Sequence, residues 1–185
     1  MEHSLRSLDD PRWKFLRGVF ISNSIRDAIT TRTGRHVYAG PPTPKQSADL
    51  WYSVEAGLDR MAKAYVLAVQ DEQHIENIGT LQSGLTENCG SFLYEGIITF
   101  GVAQKALNTY LKYLWCDCLI PAPPHCPFDS RILGLLKLPQ NCEWRWTRGS
   151  IEDYRQWVDA AKKIANTRPL CEWELGEWEK AAPTS

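Results

Sequence analysis

The stretch TPKQSADLWYSVEAGLDRMAKAYVLAVQ, residues 43–70, decides the fold class. It starts with Thr43 as a helix N-cap, proline at the first helical position and Gln46 at the third, which is a strong helix-start signal. Apolar residues then recur every three or four positions, which is the period of one helix face. The sequence therefore predicts a helix over 44–70. Its apolar face consists of Trp51, Val54, Leu58, Met61, Tyr65 and Ala68.

The rest of the chain repeats this helical signal. Alternating apolar and polar residues, the pattern of a half-buried strand, occur only in short pieces at 37–38 and 97–100. We therefore expect an all-α, compact multi-helix domain. The predicted helices are one from Pro11, two short ones within 72–95, an amphipathic one after Gly101, one over 130–138, one from Ile151 and a last one after Pro169.

Length and composition indicate one globular domain of 185 residues, 43% apolar and 23% charged, which excludes collagen-like and disordered classes. We divide it into an N-terminal helical arm and loop, 1–42, and a helical core, 43–185. The net charge of -1 gives no overall sign of a polyanionic partner, but segments 1–50 and 101–150 each carry +3. A nucleic-acid partner is therefore compatible with the charge pattern.

The location in the cell is predicted from the N-terminus and the apolar runs. Acidic residues Glu2, Asp9 and Asp10 stand where a signal peptide has its apolar core, and no apolar run approaches the ~20 residues of a membrane span. We expect an intracellular, cytoplasmic protein with no membrane partner. Its six cysteines are then expected to be thiols rather than a disulfide framework.

The most informative stretch for function is 97–107, followed by Pro127-Phe128-Asp129. A glycine turn that opens a helix presents backbone N–H groups able to bind a phosphate, and Lys105 lies one turn further on. The helix 105–116 rises about 17 Å, and the twelve residues 117–128 can span about 40 Å when extended. Asp129 can therefore meet Lys105. A lysine amine beside a carboxylate can attack carbon and form a Schiff base.

These motifs resemble those of a known family. Gly101-Val102-x-x-Lys105, its amphipathic helix and Pro127-x-Asp129-x-Arg131 are similar to the helix-hairpin-helix DNA glycosylase superfamily, above all its 8-oxoguanine glycosylase/AP lyase branches. The resemblance implies a hairpin-like turn near 97–107, Lys105 as nucleophile and Asp129 as catalytic carboxylate. It also implies double-stranded DNA with a damaged, oxidised purine as partner, and no cofactor. Ala103 stands where the family usually has a second glycine.

Further site candidates come from a mixed aromatic and basic loop and from the last helix. Trp144-Arg145-Trp146-Thr147-Arg148 interleaves residue types that stack on bases and hold phosphates. The family ends in a helix whose acidic and aromatic residues approach the base. The DNA-binding candidates are Gly101, Val102, Ala103, Arg131, Arg145 and Arg148, and the base-pocket candidates are Trp144, Trp146, Glu172 and Trp173.

Simpler interpretations stand beside each of these. Lys105 lies on the polar face of an amphipathic helix, where most lysines are solvated, and Asp129 is a good N-cap without any chemistry. Lys112 is the alternative nucleophile. Residues Cys116, Cys118, His125, Cys126 and Cys142 offer metal-ligand types, but their spacing matches no common site, so no metal is predicted. The alternative function is a non-enzymatic all-α interaction or defence module.

Overall fold

Seven α-helices make up the part of the chain that the computed structural model describes, residues 10–30 and 37–180. Within these ranges the only β-type pairing is one bridge between Tyr38 and Leu93. The all-α prediction is confirmed, whereas the acidic residues Glu2 and Asp9, used to predict location, lie outside the described residues. The helices are α1 Pro11–Ile29, α2 Pro44–Ala62, α3 Asp71–Cys89, α4 Phe100–Cys116, α5 Ser130–Leu133, α6 Ile151–Ala165 and α7 Leu170–Lys180.

The length and polarity of these helices bear on the membrane prediction. In the described ranges, none of them combines the length and the apolar character that crossing a bilayer requires. The N-terminal helix α1 packs on α4 and buries Trp13, Ile21 and Ile25, so it shares the core of the later helices.

The helix starts are confirmed in detail. Thr43 Oγ1 accepts a hydrogen bond from the backbone N–H of Gln46, and Gln46 Oε1 accepts one from the backbone N–H of Thr43. Both halves of the capping box therefore form. Ser150 and Asp153 make the same reciprocal arrangement at the start of α6. The predicted helix 44–70 is too long, however. It ends at Ala62 and tightens into a 3-10 turn that buries Tyr65 against α3.

Helix α3 corrects the prediction of two short helices. It runs unbroken through Gly79 and Gly84. A glycine inside a helix costs about 1 kcal/mol relative to alanine. Burial of an entire apolar face offsets that cost, because each large side chain removed from water contributes about 1.5–3 kcal/mol. The buried face consists of Ile75, Ile78, Leu81 and Leu85.

Helix α4 lies at the centre of the fold. It contacts α1, α2, α3 and α6, and 13 of its 17 residues are buried. The expectation that Lys105 lies on a solvated face is therefore wrong, because Lys105 is 6% and Thr109 5% exposed. Residues 100–111 of α4 are buried on every side, so the polar residues among them need partners inside the protein.

The segment after α4 returns to it. Residues 119–128 follow no regular element, as their prolines predict, and lead to Asp129, which caps α5. Helix α5 has a single turn instead of the predicted 130–138, because Gly134 is its C-cap. This return brings Asp129 back onto the first half of α4, where the site lies.

Candidate active site

Lys105 and Asp129 form a nearly buried ion pair. The Nζ atom of Lys105 lies 2.8 Å from Oδ2 of Asp129, and the two side chains are 7% and 17% exposed. Lys105 belongs to the second turn of α4, and Asp129 precedes the first turn of α5. The structure thus brings together the two residues that the resemblance named as the catalytic pair.

The surroundings of Asp129 keep its carboxylate ionised. Oδ1 accepts hydrogen bonds from the backbone N–H groups of Arg131 and Ile132, both at 3.0 Å, while Oδ2 accepts from Lys105. Burial raises the pKa of Asp129, but Lys105 and the two backbone donors outweigh it, so the pKa lies below its ordinary value. The charged form therefore faces the Lys105 amine at neutral pH.

A second buried pair lies two turns further along α4. Lys112 Nζ is 2.9 Å from Oε1 and 2.8 Å from Oε2 of Glu174 in α7. The Glu174 side chain is 1% exposed, and burial raises its pKa more than Lys112 lowers it. The predicted acid on this helix, Glu172, is exposed. Glu174 could have been found, because it lies one turn after the buried Leu170, on the same face of α7.

Arg131 connects the site to the end of α7. Its Nη2 donates to the backbone carbonyls of Glu177 and Trp178, each at 3.3 Å, and its guanidinium lies 4.5 Å from the Trp178 ring centroid. In this structure the predicted DNA-binding arginine therefore holds α7. Trp173 is fully buried in the same helix, so the candidate that faces solvent here is Trp178, which the sequence prediction did not include.

In the N-terminal turn of α4, the backbone N–H groups of residues 101–103 already have partners within the protein. The N–H of Gly101 donates to the Gly149 carbonyl at 3.0 Å, and those of Val102 and Ala103 donate to the side chain and carbonyl of Thr99. A Cβ on Gly101 would lie 1.6 Å from the Trp146 carbonyl oxygen. Glycine is required here for close packing against the loop, and the helix-hairpin-helix turn is not confirmed.

The loop 139–149 buries one of its two tryptophans and leaves the other at the surface beside Arg145. Trp146 is buried, whereas Trp144 is 64% exposed. Arg145 is paired with Glu143 through two nitrogen atoms, at 3.0 and 2.9 Å, and Arg148 is exposed. Trp144, Arg145 and Arg148 are thus exposed, with Arg145 held by Glu143, on a loop that packs against the start of α4.

Two buried amides of α4 are absent from the sequence-based list. Gln104 and Asn108 are both 0% exposed, and Asn108 Nδ2 donates to Gln104 Oε1 at 3.1 Å. The signal for them was their spacing of four residues, which places both on one helix face. Spacing alone does not distinguish a buried amide pair from a solvated one, so the pair gave no sign of being functional.

The metal-ligand types do not assemble. Among the described residues, no three or more His, Cys, Asp and Glu side chains gather in a way that could hold an ion. Cys116 and Cys118 are exposed, whereas His125 and Cys126 are buried. None of the six cysteines forms a disulfide.

Comparisons with known proteins add nothing to this geometry. No family model, no curated protein and no solved structure matches the chain. The resemblance therefore rests on short motifs between 97 and 132, and the functional proposal depends on how their residues are arranged.

Proposed function

We propose that the chain is a DNA N-glycosylase with AP lyase activity that removes a damaged base, first of all an oxidised purine. The observation that carries this proposal is the buried pair of Lys105 and Asp129. Because C1′ of a nucleotide is shielded inside the duplex, such an enzyme must flip the damaged nucleotide out of the stack. DNA, rather than a small molecule, is then the partner.

The burial of this pair favours a chemical role over a structural one. Removing a lysine and a carboxylate from water costs several kcal/mol per ion, and apolar residues of similar volume often give equal or greater stability. Lys105 lies on the most enclosed helix of the fold, where an apolar side chain would pack without that cost. A mostly buried carboxylate whose pKa is perturbed, next to an amine, is also typical of an active site.

The pair supplies the groups that the reaction needs. Asp129 takes a proton from the Lys105 ammonium, and the neutral amine then attacks C1′. The bond from C1′ to the base nitrogen breaks, its electrons leave with the base, and the base receives the proton that Asp129 held, so that the carboxylate stabilises the positive charge left on the substituted amine. Transfer of a proton from that amine to O4′ opens the ring to a Schiff base. Loss of a C2′ proton then expels the 3′ phosphate, which nicks the strand.

Access to Lys105 requires movement. Its side chain is 7% exposed, and Glu174 of α7 lies close enough to interact with both Lys105 and Asp129. Arg131 holds the end of that helix through two carbonyls. A flipped nucleotide therefore reaches Nζ when α7 shifts, and Arg131 becomes available for phosphate in the same step.

The test uses duplex oligonucleotides that contain 8-oxoguanine or an abasic site. Borohydride reduces the Schiff base to a stable covalent adduct, and released base is measured in parallel. We expect an adduct with the wild type and with Lys112→Met, and none with Lys105→Met. The two variants are matched, because each leaves one buried carboxylate without its lysine. Release of the base without a trapped adduct would support the glycosylase activity and exclude the lyase activity. Neither activity on a panel of lesions would contradict the proposal.

The alternative is a non-enzymatic interaction module, and one observation favours it. The amides of Gly101, Val102 and Ala103 and the side chains of Arg131 and Arg145 all have partners within the protein. Of the predicted DNA-binding side chains this leaves exposed Arg148, and a surface with so few available donors binds DNA poorly. A folded wild type that neither binds a lesion duplex nor reacts with it would support this second function.

A further inference from the structure

Three neighbouring side chains of α4 bind the segment that returns to it. Lys105 pairs with Asp129, Gln104 binds the backbone of Phe128, and Asn108 Nδ2 donates to the Cys126 carbonyl at 3.0 Å. The central helix thus holds the residues immediately before the catalytic carboxylate as well as the carboxylate itself.

Gln104 binds both backbone groups of Phe128. Its Nε2 donates to the Phe128 carbonyl at 2.7 Å, and its Oε1 accepts from the Phe128 N–H at 3.2 Å. The Phe128 ring packs at centroid distances of 5.5 Å from Tyr154 and 6.1 Å from Trp157. Both the side chain and the backbone of the residue preceding Asp129 are therefore fixed in the core.

A network of buried polar groups sets the orientation of the Gln104 amide. Asn108 Nδ2 donates to Gln104 Oε1, and it also lies 3.1 Å from the Tyr154 hydroxyl. That hydroxyl lies 2.9 Å from His125 Nδ1. With Oε1 accepting from two N–H groups, Nε2 must face the Phe128 carbonyl. The amide cannot rotate without losing these bonds.

We propose that Gln104 is the positioning residue of Asp129, fixing the backbone from which the carboxylate reaches Lys105. Helix α5 has only one turn, and a single helical turn is not stable by itself. Its N-cap therefore needs an anchor from outside, and Gln104 supplies it one residue upstream. The catalytic consequence rests on the proposed function, whereas the positioning of Asp129 does not.

The variant Gln104→Met tests the proposal, because it keeps the approximate volume and removes both bonds to Phe128. The matched control is Gln82→Met. Gln82 also donates from Nε2 to a backbone carbonyl, that of Ile98 at 3.0 Å, but it lies on α3. We expect the trapping rate at saturating substrate to fall about 10–100-fold in Gln104→Met, since a misplacement of about 1 Å can cost 10²-fold. KM should change little, and equal rates in the two variants would overturn the proposal.

A second readout does not depend on the reaction. Carbon NMR of labelled aspartate carboxyls follows the titration of Asp129, whose signal is identified by its absence in Asp129→Asn. In the wild type and Gln82→Met we expect a pKa below the ordinary 3.8, and in Gln104→Met a rise towards it. An unchanged titration in folded Gln104→Met overturns the positioning role. A wild type without trapping contradicts only the proposed function.

A third variant applies if Gln104→Met does not fold. In Gln104→Glu the introduced carboxyl, when protonated, has one donor and one acceptor, as the amide has. We expect a wild-type trapping rate and Asp129 titration while that carboxyl is protonated. The rate should then fall on the alkaline side of its ionisation, where the wild type shows no fall. A pH-independent loss of rate would overturn the proposal.

Discussion

Helix α4 carries two buried lysine–carboxylate pairs, and they differ in what surrounds the acid. Asp129 is an N-cap, so two backbone N–H groups bind it in addition to Lys105. Glu174 lies inside α7, where the helix backbone has no N–H to spare, and Lys112 is its ion-pair partner. The same pairing on the same helix thus gives opposite pKa directions, lowered for Asp129 and raised for Glu174.

This difference assigns the two pairs different roles. A carboxylate that stays ionised can accept a proton from an amine and stabilise a cation on the sugar. A glutamate that burial drives towards its neutral form is less suited to that task. We therefore propose that Lys105 and Asp129 carry the chemistry, and that Lys112 and Glu174 attach α7.

The largest expected effect separates the pairs by activity. Asp129→Asn should lower the trapping rate by about 10²–10⁴, the usual contribution of a general acid–base group. Glu174→Gln should cost less than about tenfold, because it alters only how α7 is held. Single-turnover kinetics on an abasic duplex measures both. Equal losses of trapping rate in the two variants would show that the four charges act as one unit, and would contradict the different roles proposed for the two pairs.

The next effect concerns stability. Lys112→Met leaves Glu174 buried at 1% exposure without its lysine, and removal of one partner of a buried pair costs up to about 3–5 kcal/mol. The double variant Lys112→Met/Glu174→Leu should recover most of that loss, because apolar replacements pack without a charge to desolvate. Urea denaturation of the single and double variants measures the coupling. If the double variant lost as much stability as the single changes add up to, Lys112 would stabilise the fold through contacts other than Glu174.

A smaller effect is the pH dependence of stability, which has opposite signs for the two acids. With a raised pKa, folded Glu174 keeps a proton above pH 4.5 that the unfolded chain has lost, so its contribution falls as pH rises. With a lowered pKa, Asp129 contributes above pH 3.8 and loses this contribution as pH falls. Each slope is at most about 1.4 kcal/mol per pH unit.

Urea denaturation over pH measures these slopes as differences from the wild type. The advantage of the wild type over Glu174→Gln should shrink as pH rises, and its advantage over Asp129→Asn should grow as pH rises through 3.8. The buried His74 and His125 also make the fold less stable on acidification. Both are present in every variant, so their contributions cancel in the differences from the wild type. If both differences changed with pH in the same direction, the opposite pKa shifts of Glu174 and Asp129 would be contradicted.

The smallest effect comes from an exposed pair that serves as a reference. Arg155 and Glu72 lie 2.6 Å apart, but their side chains are 45% and 67% exposed. Solvent screens such a pair, so Arg155→Ala should leave the free energy of unfolding almost unchanged. A loss as large as that of Lys112→Met would mean that burial does not explain the cost at α4.

The sequence predicted what local chemistry determines. The cap at Thr43, the capping box at Ser150 and the N-cap role of Asp129 each depend on a few adjacent residues, and all are confirmed. Chain reach allowed Lys105 and Asp129 to meet, and the family resemblance named them as a pair. The burial of α4 was not predicted, because apolar spacing cannot distinguish a helix with one solvated face from one surrounded by others. Gln104 was missed for that reason.

The most direct measurement identifies the lysine that forms the adduct. Wild-type protein is trapped with borohydride on an abasic duplex, digested with a nuclease and a protease, and the modified peptide is sequenced by mass spectrometry. Our account predicts one reduced sugar adduct on Lys105 and its disappearance in Lys105→Met. An adduct on Lys112 or another lysine, or no adduct with a folded protein, would contradict the assignment of the chemistry to Lys105 and Asp129.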